Sequence, residues 1–284
     1  MNVLVLGASG MLGNAIFRLL SEKNEWRVFG TIRSRADTKY FPGDTSDRLL
    51  SGVDAGNFES IVEAYKIACP DVVINCIGLI KQLEDAGNPL EAIPINSLLP
   101  HRLAKLCDAF GARLIHISTD CVFSGDKGMY REEDYADARD LYGRSKLLGE
   151  VDYDHAVTLR TSIIGPELKG AHGLLAWFLS QSGSCPGFTR AIFSGVPTIV
   201  LAYIIRDIFI SRADLHGVYH VASEPISKFN LLILTAEIYG KKIKIVPTDD
   251  LVIDRSLDPT KLELETGYKV ADWPELIKLM YTFG

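Results

Sequence analysis

The feature that most constrains the fold is the opening, Val3-Leu4-Val5-Leu6-Gly7-Ala8-Ser9-Gly10-Met11-Leu12-Gly13. An unbroken apolar run stops at a glycine and passes within four residues into an amphipathic stretch. Such a run reads as a strand buried on both faces. In the spacing G-x-x-G-x-x-G, Gly7 permits a tight turn, Gly10 lets backbone approach a pyrophosphate, and Gly13 lets the helix close onto the strand. The N–H groups and dipole at the start of that helix then favour a phosphate. The opening therefore predicts dinucleotide binding.

The pattern continues as regular alternation. Strands are expected at Val3–Leu6, Arg27–Thr31, Val72–Asn75, Arg113–Ser118 and Ala156–Arg160, with helices at Met11–Ser21, Asn57–Ala68, Ser97–Phe110 and Leu141–Val151. Near-continuous apolar strands separated by amphipathic helices imply a parallel sheet covered on both faces. The fold class is thus α/β, a Rossmann-type doubly wound parallel sheet. Beyond Gly165 glycine and proline become frequent and the rhythm turns irregular. Residues 1–165 are expected to form the nucleotide-binding domain and 166–284 a smaller, interleaved substrate-binding lobe, with 196–222 returning to the Rossmann core.

The chain has 284 residues, 47% hydrophobic and 23% charged, and a formal net charge of −6. This balance opposes disorder and lacks the basic footprint of a nucleic-acid binder. Five cysteines, an odd number with no C-x-x-C pair, point to a reducing compartment. The six histidines show no ligand spacing, so no metal site is expected, and His116 reads as a satisfied strand residue. The charge-free first 17 residues lack a basic start and are broken by glycines, unlike a signal peptide. The apolar run Val196 to Ile205 is too short to cross a membrane. A cytoplasmic protein is the expectation.

After the second strand come Arg33-Ser34-Arg35, with no acid before Asp37. An acid there would accept from a ribose 2′-OH, whereas arginines can fork onto a 2′-phosphate. The cofactor expected is therefore NADPH. Tyr142-Gly143-Arg144-Ser145-Lys146 places a phenol and an ammonium at i and i+4, on one helix face. A nearby cation stabilises phenolate, which equips the tyrosine for proton transfer. Ser118-Thr119-Asp120 ends a strand at the sheet edge where ligands bind in such folds.

The glycine spacing, Ser118-Thr119-Asp120 with Val122-Phe123, and Tyr142-Gly143-x-Ser145-Lys146 together resemble the extended short-chain dehydrogenases/reductases. Within them the chain is most similar to the dTDP-4-dehydrorhamnose reductase branch. Asn75, Ile95-Asn96, Leu159-Arg160-Thr161-Ser162, Pro197-Thr198 and Asp254-Arg255-Ser256-Leu257-Asp258 before Trp273 extend the likeness over nearly the whole chain. The resemblance implies Tyr142 as proton donor, Lys146 as its partner and ribose anchor, and Thr119 as a hydrogen-bond donor to the reacting carbonyl. It implies a cofactor held by Gly7, Ser9, Gly10, Met11, Leu12, Gly13, Arg33, Asp54, Cys76, Ile77, Gly78, Tyr142 and Lys146. Asp120 would reach the sugar, and Trp177 is a candidate to stack on base or sugar as readily as to join the core.

The implied chemistry is hydride transfer to a 4-keto-6-deoxy sugar carried on a nucleotide, in polysaccharide or O-antigen sugar biosynthesis. Ile163 and Cys121 stand where the rhamnose enzymes carry tryptophan and tyrosine, and Leu79 to Asp85 departs from the family. A UDP-linked 2-acetamido sugar therefore competes with the dTDP-linked one as substrate. The alternative is a non-catalytic NADP-binding regulatory subunit of the same fold. Helix-to-helix homodimers are frequent among proteins of this kind.

Overall fold

The computed structural model describes residues 1–80 and 87–284. The departure expected at Leu79 to Asp85 therefore falls largely outside the described residues.

The first strand, β1 (Asn2–Leu6), keeps Val3, Leu4, Val5 and Leu6 wholly from solvent. The remaining strands that carry the site are β2 (Arg27–Ile32), β3 (Leu49–Ser51), β4 (Val72–Asn75), β5 (Arg113–Ile117) and β6 (Ala156–Arg160). They lie in the order β6-β5-β4-β1-β2-β3, with the strand Gly217–His220 beside β6. The pairs from β3 to β6 are all parallel. The register aligns Leu6 with Asn75, Asn75 with His116, and His116 with Thr158. Strand order reverses between β1 and β4, and the crevice beyond their carboxyl ends is the ligand position of open α/β sheets.

Helices α1 (Met11–Ser21), α2 (Phe58–Ala68), α3 (Pro89–Ala92), α4 (Leu99–Phe110) and α5 (Leu141–Leu148) cover this sheet. Ile16, Phe17 and Leu20 of α1 are fully buried, each stabilising the fold by about 1.5–3 kcal/mol. The close fit of α1 has a local cause. A Cβ at Gly13 would lie 2.1 Å from the Gly7 carbonyl oxygen, and one at Gly30 2.8 Å from both Ala8 Cβ and Phe17 Cδ2. The helix expected to start at Ser97 begins instead at Pro89, and a π-helical stretch, Ile93–Leu98, joins α3 to α4. The short β3 had no counterpart in the expected strands.

The chain forms two compact units. The first comprises Met1–Ser118, Arg139–Leu159 and Ala202–Val218, and the second Thr119–Ala138, Arg160–Leu201 and Tyr219–Gly284. Ala202–Val218 groups with the first unit, inside the 196–222 stretch expected to return to it, and Thr119–Ala138 groups with the second. Thr119–Ala138 groups with the late chain because its backbone pairs there: Tyr130 N donates to Ser256 O at 2.8 Å, and Asp258 N to Tyr130 O at 2.7 Å. Within the second unit, the short strands Ser184–Phe188 and Lys244–Thr248 pair in parallel. Ala191–Phe193 lies between Ile226–Ser227 and Ile253–Asp254. Phe178, Cys185, Leu232 and Ile245 form a core there, with Trp177 packed against it half-buried.

Among the described residues no helix is long and apolar enough to cross a membrane, and no His, Cys, Asp and Glu group could hold a metal ion. All five cysteines are free thiols.

Candidate active site

In the first unit the glycine turn is fixed by β2. Gly7 N donates to Thr31 Oγ1 at 3.0 Å, and Ala8 N to Thr31 O at 2.9 Å. Gly10 caps α1 without any side-chain hydrogen bond. The first-turn N–H groups of Met11, Leu12 and Gly13 are therefore left for a ligand, because an α-helix offers them no internal acceptor. These amides, with no side chain crowding Gly10, fit a dinucleotide pyrophosphate.

The turn after β4 lies against this loop. A Cβ at Gly7 would meet Ile77 Cγ1 at 3.2 Å and the Cys76 carbonyl at 3.5 Å. Asn75 sets the turn, its Oδ1 accepting from Ile77 N at 3.1 Å. Asn96 holds the other end, accepting from Leu79 N at 2.9 Å and donating to Leu79 O at 3.1 Å. The same amide donates to Ser145 Oγ at 3.2 Å, which ties the turn to α5.

Asp140 starts α5 by accepting from Gly143 N at 2.8 Å, the kind of cap that stabilises a helix by about 1 kcal/mol. Half-buried Tyr142 follows in the first turn, and Lys146 lies one turn on along the same face. Lys146 is only 4% exposed, and its Nζ donates to Ile117 O at 2.7 Å. A Cβ at Gly78 would come within 3.9 Å of that Nζ. The glycine turn, Cys76–Gly78 and Lys146 are thus neighbours. Burial pushes the Lys146 ammonium down to about 8, opposed by Glu150 and Cys76. Burial pushes the Cys76 thiol up to about 12.

His116 departs from the expectation of a satisfied strand residue. Its Nδ1 pairs with Asn75 Nδ2 at 3.1 Å, while Nε2 has no protein partner among the described residues. Burial first, then the nearby Lys146 charge, holds its pKa well below the ordinary value, so the ring is neutral.

Arg33 follows β2, exposed like Arg35, beside a 3-10 turn capped by Ser34. Asp54 is exposed too, with Oδ1 accepting from Gly56 N at 2.9 Å in the turn before α2. One of its oxygens thus has a local structural task.

In the second unit Thr119 is 7% exposed and caps the turn Asp120–Val122. Its Oγ1 accepts from Cys121 N and donates to Asp120 Oδ1, both at 3.1 Å. Burial raises the Asp120 carboxyl, against the pull of Arg255, its hydrogen bonds and Lys228. Arg255 donates through Nε to Phe123 O at 2.8 Å and turns Nη1 to Cys121 Sγ at 3.7 Å. Trp177 lies on the helix Leu174–Ser180 and packs, half-buried, against the cluster of Phe178, Cys185, Leu232 and Ile245, which gives it a share in the core.

Sequence reasoning assigned no role to Asn96, Ser145, Glu150 or Arg255. Asn96, Ser145 and Arg255 sit inside the motifs, but the Asn96–Ser145 and Arg255–Phe123 bonds join residues 49 and 132 apart in sequence.

The sheet with its glycine turn and the Tyr142–Lys146 helix define a Rossmann-type protein of the short-chain dehydrogenase/reductase kind. The chain belongs to the RmlD substrate binding domain family, whose profile matches residues 1–282. It is 30% identical over 270 residues to a probable low-salt glycan biosynthesis reductase of Haloferax volcanii, covering 90% of this chain and 84% of that protein. It is 31% identical over 313 residues to methionine adenosyltransferase 2 subunit beta of Mus musculus, covering 97% and 88%. The dTDP-4-dehydrorhamnose reductase of Bacillus anthracis, solved in complex with NADP, has the same fold. It superposes with a TM-score of 0.78 at 20% identity, covering 99% of this chain and 98% of that one.

Proposed function

We propose that the protein is an NADPH-dependent reductase of a nucleotide-activated 4-keto-6-deoxy sugar, acting in the cytoplasm in glycan or O-antigen sugar biosynthesis. The observation that carries this reading is the buried Lys146 ammonium, on the Tyr142 face of α5 and against the Cys76–Gly78 turn. A cation in that position has a structural cost, which a proton-transfer role for the neighbouring phenol explains. The reductase from Haloferax volcanii supports the class of reaction.

Gly7, Ser9, Gly10, Met11, Leu12 and Gly13 would hold the pyrophosphate of the cofactor, and Arg33 its 2′-phosphate. Asp54 would lie towards the adenine, with Cys76, Ile77 and Gly78 lining the cleft. When bound, the dihydronicotinamide supplies the hydride. Tyr142 gives its phenolic proton to the oxygen of the reduced carbonyl, and Lys146 stabilises the phenolate left behind. The Thr119 hydroxyl would turn from Asp120 Oδ1 to donate to that same oxygen and steady its developing charge. Asp120 and Trp177 contact the sugar nucleotide.

The test is NADPH oxidation with dTDP- and UDP-linked 4-keto-6-deoxyhexoses generated in situ, the UDP set including 2-acetamido sugars. Turnover with one of them names the substrate. NADPH binding without turnover on any of them favours the second reading, a regulatory subunit, which the likeness to a methionine adenosyltransferase subunit supports.

A further inference from the structure

Lys146 is buried, and a buried ammonium keeps its proton only if something nearby compensates its lost hydration. Three titratable groups on the surrounding elements interact with it. Cys76, after β4, is a thiol pushed up to about 12. His116, on β5, is a neutral imidazole. Glu150, four residues beyond Lys146, is a carboxylate that raises the lysine pKa. Tyr142 lies on the same helix face. Among these groups the counter-charge at neutral pH comes from Glu150.

The position of that carboxylate is fixed. Glu150 follows Gly149, where α5 ends, and its N donates to Leu147 O at 3.2 Å. The Ser118 hydroxyl donates to Glu150 Oε1 at 2.7 Å. Ser118 is itself 5% exposed and anchored by its N to Leu159 O at 2.8 Å. The residue before it, Ile117, supplies the carbonyl that receives the Lys146 Nζ. One stretch at the end of β5 thus holds both the ammonium and the carboxylate. A glycine is also required at 149, since a Cβ there would overlap the Asn96 carbonyl oxygen.

We propose that Glu150 is a positioning residue for Lys146, its carboxylate tethered by the Ser118 hydroxyl so that the buried ammonium has a fixed counter-charge. The inference rests on the reductase reading above for its catalytic consequence, but not for its electrostatic content.

The variant is Glu150→Gln, which keeps an oxygen for Ser118 and removes only the charge. Lysine labelled with ¹³C at Cε reports the Lys146 titration directly, the resonance being the one absent from Lys146→Met. The pKa of Lys146 should fall by about one unit in Glu150→Gln. The alkaline limb of kcat/KM for the sugar found active should move down with it. Activity would then fall about fivefold at pH 8 but under about twofold at pH 6.5. A packing defect alone lowers the rate at both. Glu150→Asp keeps the charge and should recover most of the alkaline activity, and Ser118→Ala, which removes the hydroxyl tether, should fall between the two. These two variants also carry the test if Glu150→Gln does not fold.

An unchanged Lys146 titration in Glu150→Gln overturns the inference, whatever the activity. A shifted titration with an unmoved rate profile overturns the positioning role. If no sugar is turned over by the parent protein, the reductase reading fails, and the titration still decides whether Glu150 is the counter-charge.

Discussion

Gly13→Ala separates helix packing from cofactor contact. The added methyl would lie 2.1 Å from the Gly7 carbonyl oxygen, 2.8 Å from its carbon and 3.1 Å from Ala8 Cα. Non-bonded carbon contacts settle near about 3.5–4 Å, so α1 must withdraw from the turn by more than about 1 Å. All three neighbours are backbone atoms, and no rotamer change relieves them. Overpacking costs about 1–3 kcal/mol, and this site belongs at the upper end. For a chain of this size about 3 kcal/mol lowers Tm by roughly 6–12 °C. Withdrawal also shifts the first-turn amides, and NADPH should bind about tenfold more weakly or worse. Gly10→Ala is the counterpart, since its methyl meets only the Gly7 oxygen at 3.3 Å. There stability should change by less than about 1 kcal/mol while NADPH affinity still falls, because the methyl projects from the cap position. Thermal melts and fluorescence titration with NADPH measure both. A Gly13→Ala protein with an unchanged Tm, or a Gly10→Ala protein with unchanged affinity, refutes this account of the turn.

Tyr142→Phe should lower kcat by about 10²–10⁴-fold and leave NADPH affinity within about twofold, read by steady-state kinetics and binding titration; loss of binding would make the residue structural. Arg33→Ala should weaken NADPH about tenfold without weakening NADH, since only the former carries a 2′-phosphate to lose. Lys146→Met should abolish turnover yet stabilise the fold near pH 7 by about 1–2 kcal/mol. That figure is the cost of burying the ammonium less about 1–2 kcal/mol for the lost bond to Ile117 O. The sign follows from protons: folded Lys146 releases its proton near 8 and the unfolded chain near 10.5, so parent stability rises with pH across that window. The advantage of Lys146→Met in Tm should therefore shrink between pH 8 and about 10, and a constant difference would count against the burial argument.

The legible parts of the fold are those whose causes lie close together in sequence. The strand–glycine–helix opening needs only Val3 to Gly13, and every constraint on it, down to the Gly13–Gly7 approach, acts within that window. Tyr142 and Lys146 were legible for the same reason, being one helical turn apart. The helical start at Pro89 lies outside the expected Ser97–Phe110, because the turn before Ser97 carries Pro94, a residue that ordinarily interrupts a helix, while Pro100 fell inside the expected helix. Both are accommodated, one in the π-helical stretch and one in the first turn of α4, where its missing N–H costs little. The three residues of β3 are too few to show a period of two.

The second unit was least legible, because Thr119–Ala138 joins it through backbone and polar contacts to residues far along the chain, which leave no sequence rhythm. Arg160 shows what such contacts do. It is buried on the Phe123 ring, 5.2 Å from its centroid, and Nη1 lies 3.3 Å from His220 Nε2. His220 N donates in turn to Glu132 Oε1 at 2.8 Å, and its Nδ1 meets Tyr130 O at 3.0 Å. Burial, followed by the Arg160 charge, pushes the histidine down to about 3. A neutral His220 with Nδ1 donating to Tyr130 O presents Nε2 as an acceptor to the guanidinium, so the network needs no proton exchange near neutral pH. It therefore ties Tyr130 and Glu132 to His220 through an imidazole that stays neutral at ordinary pH.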